Sequence, residues 1–199
     1  MFGHPVTLCL IALGANSGVS FAANARGLAK AARQLPGRIG AISRIYRTPA
    51  WPPGAGPDFA NAVALLHCTM APNILLDRLH GIEARHGRVR ERRWVARTLD
   101  LDLLDWHGTV RPDVPTVRHW MTLPPAVQAS IAPDQLILPH PRLQDRAFVL
   151  IPLCDVAPDW RHPLTGRTAR AMLMALSGAE RGQITAIGPV DGVVNIKRR

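Results

Sequence analysis

Residues 98–104 read Thr-Leu-Asp-Leu-Asp-Leu-Leu, a run in which apolar and acidic side chains alternate. Because the side chains of a β-strand point alternately to its two faces, this pattern predicts a strand whose leucines lie in the core. Asp100 and Asp102 then share the opposite face, with their Cα atoms roughly 6.5–7 Å apart. We expect this strand to complete the sheet that the preceding residues begin.

Five segments before residue 98 show strand or helix patterns. Short apolar runs predict strands, whereas longer runs with one apolar face and a proline or glycine at their ends predict helices. In chain order we expect strand 6–13, helix 20–35, strand 39–46, strand 59–68 and a helix between Pro72 and Gly87. With strand 98–104, this is the split βαβ order of ferredoxin-like folds, which predicts an α+β protein with helices on one face of an antiparallel sheet.

The other segments are predicted to be loops and helices around this core. Residues 51–57 are dominated by proline and glycine, which favours an exposed loop, and such loops are often functional. Scattered prolines indicate that residues 111–135 are an insertion that crosses the surface. Helical patterns occur at 117–121, 126–131, 148–156 and 168–176. We expect a single domain over residues 1–199, with a helix near its C-terminal end.

The composition favours anionic partners. The chain has 24 basic and 14 acidic residues, a formal net charge of +10, and its only lysines are Lys30 and Lys197. Excess positive charge suits a nucleotide, a nucleic acid or a phosphorylated substrate. A codon bias would produce the same preference for arginine over lysine, so the arginine content alone does not decide the function.

The three cysteines indicate a reducing compartment. Cys9, Cys68 and Cys154 stand apart from one another in apolar stretches, without a CxxC pattern. We therefore expect buried, reduced thiols and a cytoplasmic location. The sequence has no apolar run as long as the 18 or so residues of a membrane span.

The acidic pair at 100 and 102 has two interpretations. A lone Asp-x-Asp pattern is most often the solvated face of an outer strand. Two carboxylates this close also repel each other unless a cation lies between them, and hard oxygen ligands suit one or two Mg²⁺ ions whose other ligands are water and phosphate oxygens.

The preceding segment favours the metal. Residues 85–97 contain six arginines, counting Arg85 and Arg97 themselves, with Trp94 among them, and planar guanidinium groups match phosphate oxygens well. Magnesium on the acidic pair and arginines before it would bind a triphosphate from two sides. No Walker A motif is present, because neither lysine follows the required glycines. Trp94 is either a stacking lid over a substrate or an anchor for its loop.

The chain resembles the 6-hydroxymethyl-7,8-dihydropterin pyrophosphokinase family. Several motifs carry the resemblance in order: Gly14-Ala15-Asn16, Tyr46-Arg47-Thr48-Pro49, Pro57-Asp58-Phe59-Ala60-Asn61, Glu83 to Arg90, Arg93 to Asp102 and Pro139 to Phe148. It extends from about Leu10 to Pro158. The chain departs from the family pattern at Val95-Ala96, where Gly-Pro is usual.

The resemblance implies transfer of the pyrophosphoryl group of ATP to the hydroxymethyl group of the pterin, with release of AMP. It implies that Asp100 and Asp102 bind two magnesium ions and that they act in catalysis with Arg88 and Arg90. The implied ATP contacts are Glu83, Arg90, Arg93, Arg97, Leu103, His140 and Arg146. The implied pterin contacts are Thr48, Pro49, Trp51, Phe59, Asn61, Trp94 and Phe148.

Structural interpretations remain open for some of these residues. Phe59 and Phe148 could be core residues, His140 a buried histidine, and Glu83 an exposed residue at a helix end. A basic nucleic-acid-binding protein is an alternative function, although one tyrosine and four phenylalanines are few for a base-stacking surface. A catalytically lapsed relative is another. We expect a monomer that binds small molecules and neither nucleic acid nor a membrane.

Overall fold

An antiparallel sheet forms the centre of the computed structural model, which describes residues 5–50, 57–87 and 99–191. Within those residues its strands are β1 (Thr7–Ala15), β2 (Arg38–Ile42), β3 (Ile45–Thr48), β4 (Phe59–Cys68), β5 (Asp100–Trp106) and β6 (Thr185–Gly188). The order across the sheet is β5-β1-β4-β3-β6, and β2 also pairs with β4. The predicted α+β class and antiparallel sheet are confirmed.

The register of the central strands aligns the motifs that the sequence singled out. Gly14 of β1 pairs with Asn61 of β4 on one side and with Asp100 of β5 on the other. The predicted alternation along β5 is correct, since Leu101 and Leu103 are buried while Asp100 and Asp102 are partly exposed. Three motifs that are distant in sequence therefore meet in one row across the sheet.

Two helices cover the first face of the sheet, as predicted. They are α1 (Phe21–Ala32) and α2 (Pro72–Arg85). The side chain of Ser20 caps α1 by accepting a hydrogen bond from Ala23 N, and Pro72 begins α2, where its missing N–H costs no helical bond. Their apolar sides join the leucines of β5 in the larger core.

The expectation that helices lie on only one face is wrong. Helices α5 (Ala147–Val156) and α6 (Ala169–Ala175) pack on the second face, in a separate core cluster that includes Leu10, Val63 and Leu104 of the sheet. The cause is that the central strands carry apolar side chains on both faces, so each face needs cover. A helix was nevertheless correctly predicted in both segments.

Two strand predictions also change. The predicted strand 39–46 is two strands, because the chain leaves the β4 ladder at Ser43, whose hydroxyl accepts a hydrogen bond from Val63 N at 2.9 Å. Strand β6 was not predicted; it is short and mostly exposed, and it pairs with β3 at the edge of the sheet.

The 111–135 segment folds as two short helices, α3 (Val114–Thr122) and α4 (Pro125–Ser130). A third short helix, α7 (Gly178–Gly182), follows α6. Val117 of α3 is fully buried, so the segment packs on the domain instead of only crossing its surface. No helix in the described part of the chain is long and apolar enough to cross a membrane.

Candidate functional site

Gly14 holds the centre of the candidate site. A Cβ atom at this position would lie 3.1 Å from Asn61 Oδ1 and 4.0 Å from Asp100 Cβ. The first of these distances is shorter than ordinary van der Waals contact, so the Asn61 side chain occupies space that only a glycine at position 14 leaves open. The amide of Asn61 and the acidic strand therefore lie on one face with no side chain between them.

The acidic pair lies on β5 above a buried carboxylate. Glu83 of α2 is 1% exposed, and its Oε1 accepts a hydrogen bond from Leu101 N at 2.7 Å. Glu83 is thus a buried residue and not an exposed helix-end residue. Its bond fixes the β5 backbone midway between Asp100 and Asp102, and so determines where both carboxylates point.

The two carboxylates of this pair suit a metal ion that takes its remaining ligands from the substrate. The pair offers two hard oxygen ligands on one strand face, and the described residues contain no group of three or more His, Cys, Asp or Glu that could hold an ion by themselves. Mg²⁺ typically binds proteins through one or two carboxylates and takes its other ligands from water and phosphates. The pair suits Mg²⁺ that arrives with a polyphosphate.

A second polar pair lies beside the first on the neighbouring strands. Asn61 Nδ2 donates a hydrogen bond to Thr48 Oγ1 at 2.6 Å, and both side chains are buried. Because this bond occupies the amide nitrogen, it fixes which side of the amide faces outward. Phe59 pairs with Thr48 across the ladder and is partly exposed, while Pro49 is exposed at the end of β3.

The start of α5 brings an aromatic ring and a cation to the same face. Phe148 is 38% exposed although its neighbours Ala147, Val149 and Leu150 are buried, so it is not a core residue. The guanidinium of Arg146 lies 5.5 Å from the centre of the Phe148 ring, within the range of a cation–π contact. An exposed ring on the sheet face that carries the Asn61 amide is a suitable arrangement for a flat polar ligand.

His140 is a neutral imidazole beside the acidic strand. Its backbone N–H donates to Leu104 O at 2.8 Å, and its Nδ1 accepts from Arg142 N at 3.2 Å, which leaves the ring proton on Nε2. Burial, followed by the positive charges of Arg146 and Arg142, lowers the pKa of His140 to about 3, against the opposing effect of Asp100. At neutral pH the ring therefore offers one N–H donor and no charge.

A cleft of about 320 Å³ opens beside Asp102. This volume is at the lower end of the ~300–1,000 Å³ typical of ligand sites. Its lining includes Leu76 and His80 of α2, Asp102 and Leu103 of β5, Trp120, Gln128, Ile131, Ala132, Pro133 and Gln135 of the insertion, and Leu136, Ile137, His140, Pro141 and Arg142. Three residues predicted for the site, Asp102, Leu103 and His140, therefore share one cleft.

Six predicted site residues lie outside the described residues: Trp51, Arg88, Arg90, Arg93, Trp94 and Arg97. The insertion residues of the cleft were missed, because their residue types carry no motif. One signal was available, since the insertion leads directly into the Pro139-His140 segment.

A hydrogen-bonded cluster that anchors α5 was also missed. Asp155 accepts hydrogen bonds from Tyr46 Oη at 2.8 Å and from Arg44 Nη2 at 2.9 Å. Burial acts to raise the pKa of Asp155, but these bonds outweigh it and lower the pKa. Burial and the bond to Asp155 raise the pKa of Tyr46 to about 12, so it stays a donor. The cluster joins α5 to β3, and thereby fixes Phe148 relative to Thr48.

Comparison with known families gives a match over most of the chain. The family model described as 7,8-dihydro-6-hydroxymethylpterin-pyrophosphokinase matches residues 10–158. A 2-amino-4-hydroxy-6-hydroxymethyldihydropteridine pyrophosphokinase of Methylorubrum extorquens is 36% identical over 179 residues, which cover 88% of this chain and 99% of that protein. The Pseudomonas aeruginosa protein of the same name is 40% identical over 146 residues, 72% of this chain and 77% of that one.

Solved structures show the same fold. A crystal structure of HPPK-DHPS in complex with substrates has a TM-score of 0.64 and 11% identity, and the match covers 92% of this chain. A Plasmodium falciparum HPPK-DHPS structure has a TM-score of 0.60, 12% identity and 87% coverage. This chain spans 46% and 45% of those two longer chains.

Proposed function

Since the chain belongs to the 7,8-dihydro-6-hydroxymethylpterin-pyrophosphokinase family, we propose that the row across Gly14 joins its two substrates for pyrophosphoryl transfer from ATP. The observation that carries this is the register in which Gly14 pairs with Asn61 on one side and Asp100 on the other. Asn61 belongs to the face that carries Thr48, Phe59 and Phe148, and Asp100 to the strand that lines the cleft. The two substrates then meet at the acidic strand.

ATP occupies the cleft beside Asp102 in this proposal. Leu103 contacts the nucleotide, and the neutral His140 donates its Nε2–H to a phosphate oxygen without bringing a charge. Arg146 lies close enough to lower the pKa of His140 and adds positive charge at the same end. From the sequence, we assign Arg88, Arg90, Arg93 and Arg97 to the phosphates as well.

The pterin binds over Asn61. The bond to Thr48 holds the amide of Asn61 in one orientation, so it offers a fixed hydrogen-bonding edge to the heterocycle. Phe59 and Phe148 provide partly exposed rings on the same face, suited to a flat bicycle. Pro49, Trp51 and Trp94 complete the pocket on the basis of the sequence.

Asp100 and Asp102 hold magnesium, as their oxygen ligands and spacing favour. When bound, the ions supply positive charge that neutralises the polyphosphate during transfer. Glu83 contributes indirectly, because its bond to Leu101 N fixes the strand that carries both carboxylates. We regard it as a positioning residue and not as a nucleotide contact.

The reaction then follows from placement. The hydroxymethyl oxygen of the pterin bonds to the β-phosphorus of ATP, the bond from that phosphorus to the α-phosphate's bridging oxygen breaks, and AMP leaves while the hydroxyl proton is released. The protein's task is to bring both substrates to the acidic strand and to neutralise their charge. We further infer a single-domain monomer in the cytoplasm that does not bind nucleic acid.

Charge-neutralising substitutions test the acidic pair. Asp100→Asn and Asp102→Asn should each lower pterin-dependent AMP formation by about 10²-fold or more, with an unchanged melting temperature. Asp159→Asn is the matched control, since Asp159 is exposed, does not line the cleft and undergoes the same change of charge. Turnover close to that of the wild type in either site variant would remove the metal assignment.

A further inference from the structure

The 111–135 insertion is fastened to the segment that carries His140. Arg111 and Leu138 exchange two backbone hydrogen bonds, of 2.8 and 3.0 Å, and Arg142 Nη1 donates to Gln128 O at 3.1 Å. Asp113 caps α3 by accepting from Thr116 N at 2.8 Å. The insertion is thus held at both of its ends and at α4, beside the cleft.

The insertion supplies a wall of the cleft. Six of the fifteen lining residues belong to it, among them Trp120, Gln128 and Ile131. The same cleft contains Asp102, to which we assign the phosphates of the nucleotide through magnesium. Since Trp120 and Ile131 carry no charge, the insertion offers a surface suited to the uncharged part of a nucleotide, which is its base.

The amide of Gln128 has a defined orientation. Its Nε2 donates to Leu123 O at 2.8 Å, and because a carbonyl oxygen accepts but cannot donate, this bond identifies the nitrogen. The amide oxygen is then left as the acceptor of this side chain. An acceptor suits the exocyclic amine of adenine, whereas guanine and hypoxanthine have a carbonyl oxygen at that position.

We propose that the insertion is the base-binding wall of the nucleotide site: Trp120 packs against the purine, and Gln128 Oε1 accepts a hydrogen bond from the exocyclic amine of adenine. This inference rests on the proposed function for the identity of the nucleotide. It assigns to the insertion the selection of ATP over other purine triphosphates.

Nucleotide binding by the full-length protein tests the wall without using catalysis. The measurement is calorimetry with the magnesium complex of α,β-methylene ATP, in which a carbon replaces the bridging oxygen that pyrophosphoryl transfer would release, and with the same analogue of GTP. Trp120→Ala should weaken binding of both analogues about tenfold, because the stacking of a base on an aromatic side chain contributes to affinity whatever the base. Trp120→Phe should restore most of the affinity. Gln128→Leu should weaken the ATP analogue about fivefold and leave the GTP analogue unchanged.

A matched pair of aliphatic residues provides the control. Ile131 is 42% exposed and lines the cleft, while Val127 is 36% exposed and does not. Ile131→Ala should weaken binding about threefold, and Val127→Ala should leave it unchanged. Melting temperatures and circular dichroism identify any variant that fails to fold, in which case Trp120→Phe and Ile131→Ala carry the test.

The outcomes separate this inference from the proposed function. If Trp120→Ala binds the ATP analogue within twofold of the wild type, the base-binding wall is refuted, and pterin-dependent AMP formation is unaffected by that result. If the wild type binds the analogue through Trp120 but forms no AMP with the pterin, the proposed reaction fails and the wall stands. Absence of analogue binding by the wild type also overturns the inference.

Discussion

The bond between Thr48 and Asn61 gives a quantitative test of the pterin pocket. Replacing Thr48 with valine keeps the branched shape but exchanges the hydroxyl that Asn61 Nδ2 reaches at 2.6 Å for a methyl group. The side chains of residues 48 and 61 are only 5% and 7% exposed, so water cannot easily replace the lost acceptor. A buried donor left without a partner costs about 1–3 kcal/mol.

Two consequences of Thr48→Val follow from that value. A loss of about 2 kcal/mol should lower the melting temperature by about 4–8 °C in a chain of this length. The amide of Asn61 also loses its fixed orientation, so we expect about a tenfold rise in KM for the pterin with little change in KM for ATP. We expect this separation because Asn61, which we assign to the pterin, is not among the residues that line the cleft beside Asp102.

Thermal denaturation and steady-state kinetics with each substrate varied in turn provide the measurements. Thr48→Ser retains the hydroxyl and is the control; it should keep the wild-type KM for the pterin. If Thr48→Val raises the two KM values equally, or changes neither, the hydrogen bond does not orient a pterin ligand and that part of the account is refuted.

Three further predictions concern Gly14, Glu83 and His162. Gly14→Ala places a Cβ 3.1 Å from Asn61 Oδ1, which forces a shift of the amide. In a kinetic assay KM for the pterin should therefore rise. Gly27→Ala is the control, because nothing lies within 4 Å of its added Cβ, and it should leave KM unchanged. Glu83→Ala removes a buried acceptor, so it should lower the unfolding free energy by about 2 kcal/mol and also lower kcat. In denaturant titrations Glu83→Gln, which keeps an acceptor oxygen, should show a smaller loss of unfolding free energy. Burial lowers the pKa of His162 from 6.5 to about 4. As the pH falls, the unfolded chain therefore binds this proton before the folded chain does, so stability that is present above pH 6.5 is lost as the pH approaches 4. In urea titrations His162→Asn should lose less stability over this range, and a pH dependence equal to that of the wild type would refute this expectation.

Much of the fold was predictable because its signals are local. The alternation of residues 98–104 places Leu101 in the core and Asp100 outside it wherever the strand lies in the sheet. Pro72 and Ser20 mark helix starts by the same kind of local chemistry. These features depend on neighbours within a few residues, and pattern analysis is most reliable for them.

The features that were missed depend on contacts between distant segments. The second helical layer follows from apolar residues such as Val63 that face away from the first core, and their face is known only once the register is known. The break at Ser43 depends on a bond to β4. Strand β6 is short and exposed, so it has little hydrophobic pattern and is defined by its pairing with β3.

The candidate site divides in the same way. The resemblance implied site roles for Thr48, Asn61 and the acidic pair, and the structure adds that Asn61 and Asp100 pair with Gly14 from its two sides. The sequence could not predict which insertion residues line the cleft, because Trp120 and Gln128 belong to no motif and lie beside His140 and Asp102 only in the folded chain. Spacing along the sequence does not predict that an insertion outside the core will line a cleft.

The nucleotide that is released distinguishes pyrophosphoryl transfer from ordinary phosphoryl transfer. The full-length protein is incubated with MgATP and 6-hydroxymethyl-7,8-dihydropterin, and the nucleotides are separated by chromatography. The account predicts AMP in amounts equal to the pterin diphosphate formed, and no AMP when the pterin is omitted. Formation of ADP in place of AMP, or of AMP at the same rate without the pterin, would contradict the transfer of an intact pyrophosphoryl group at this site.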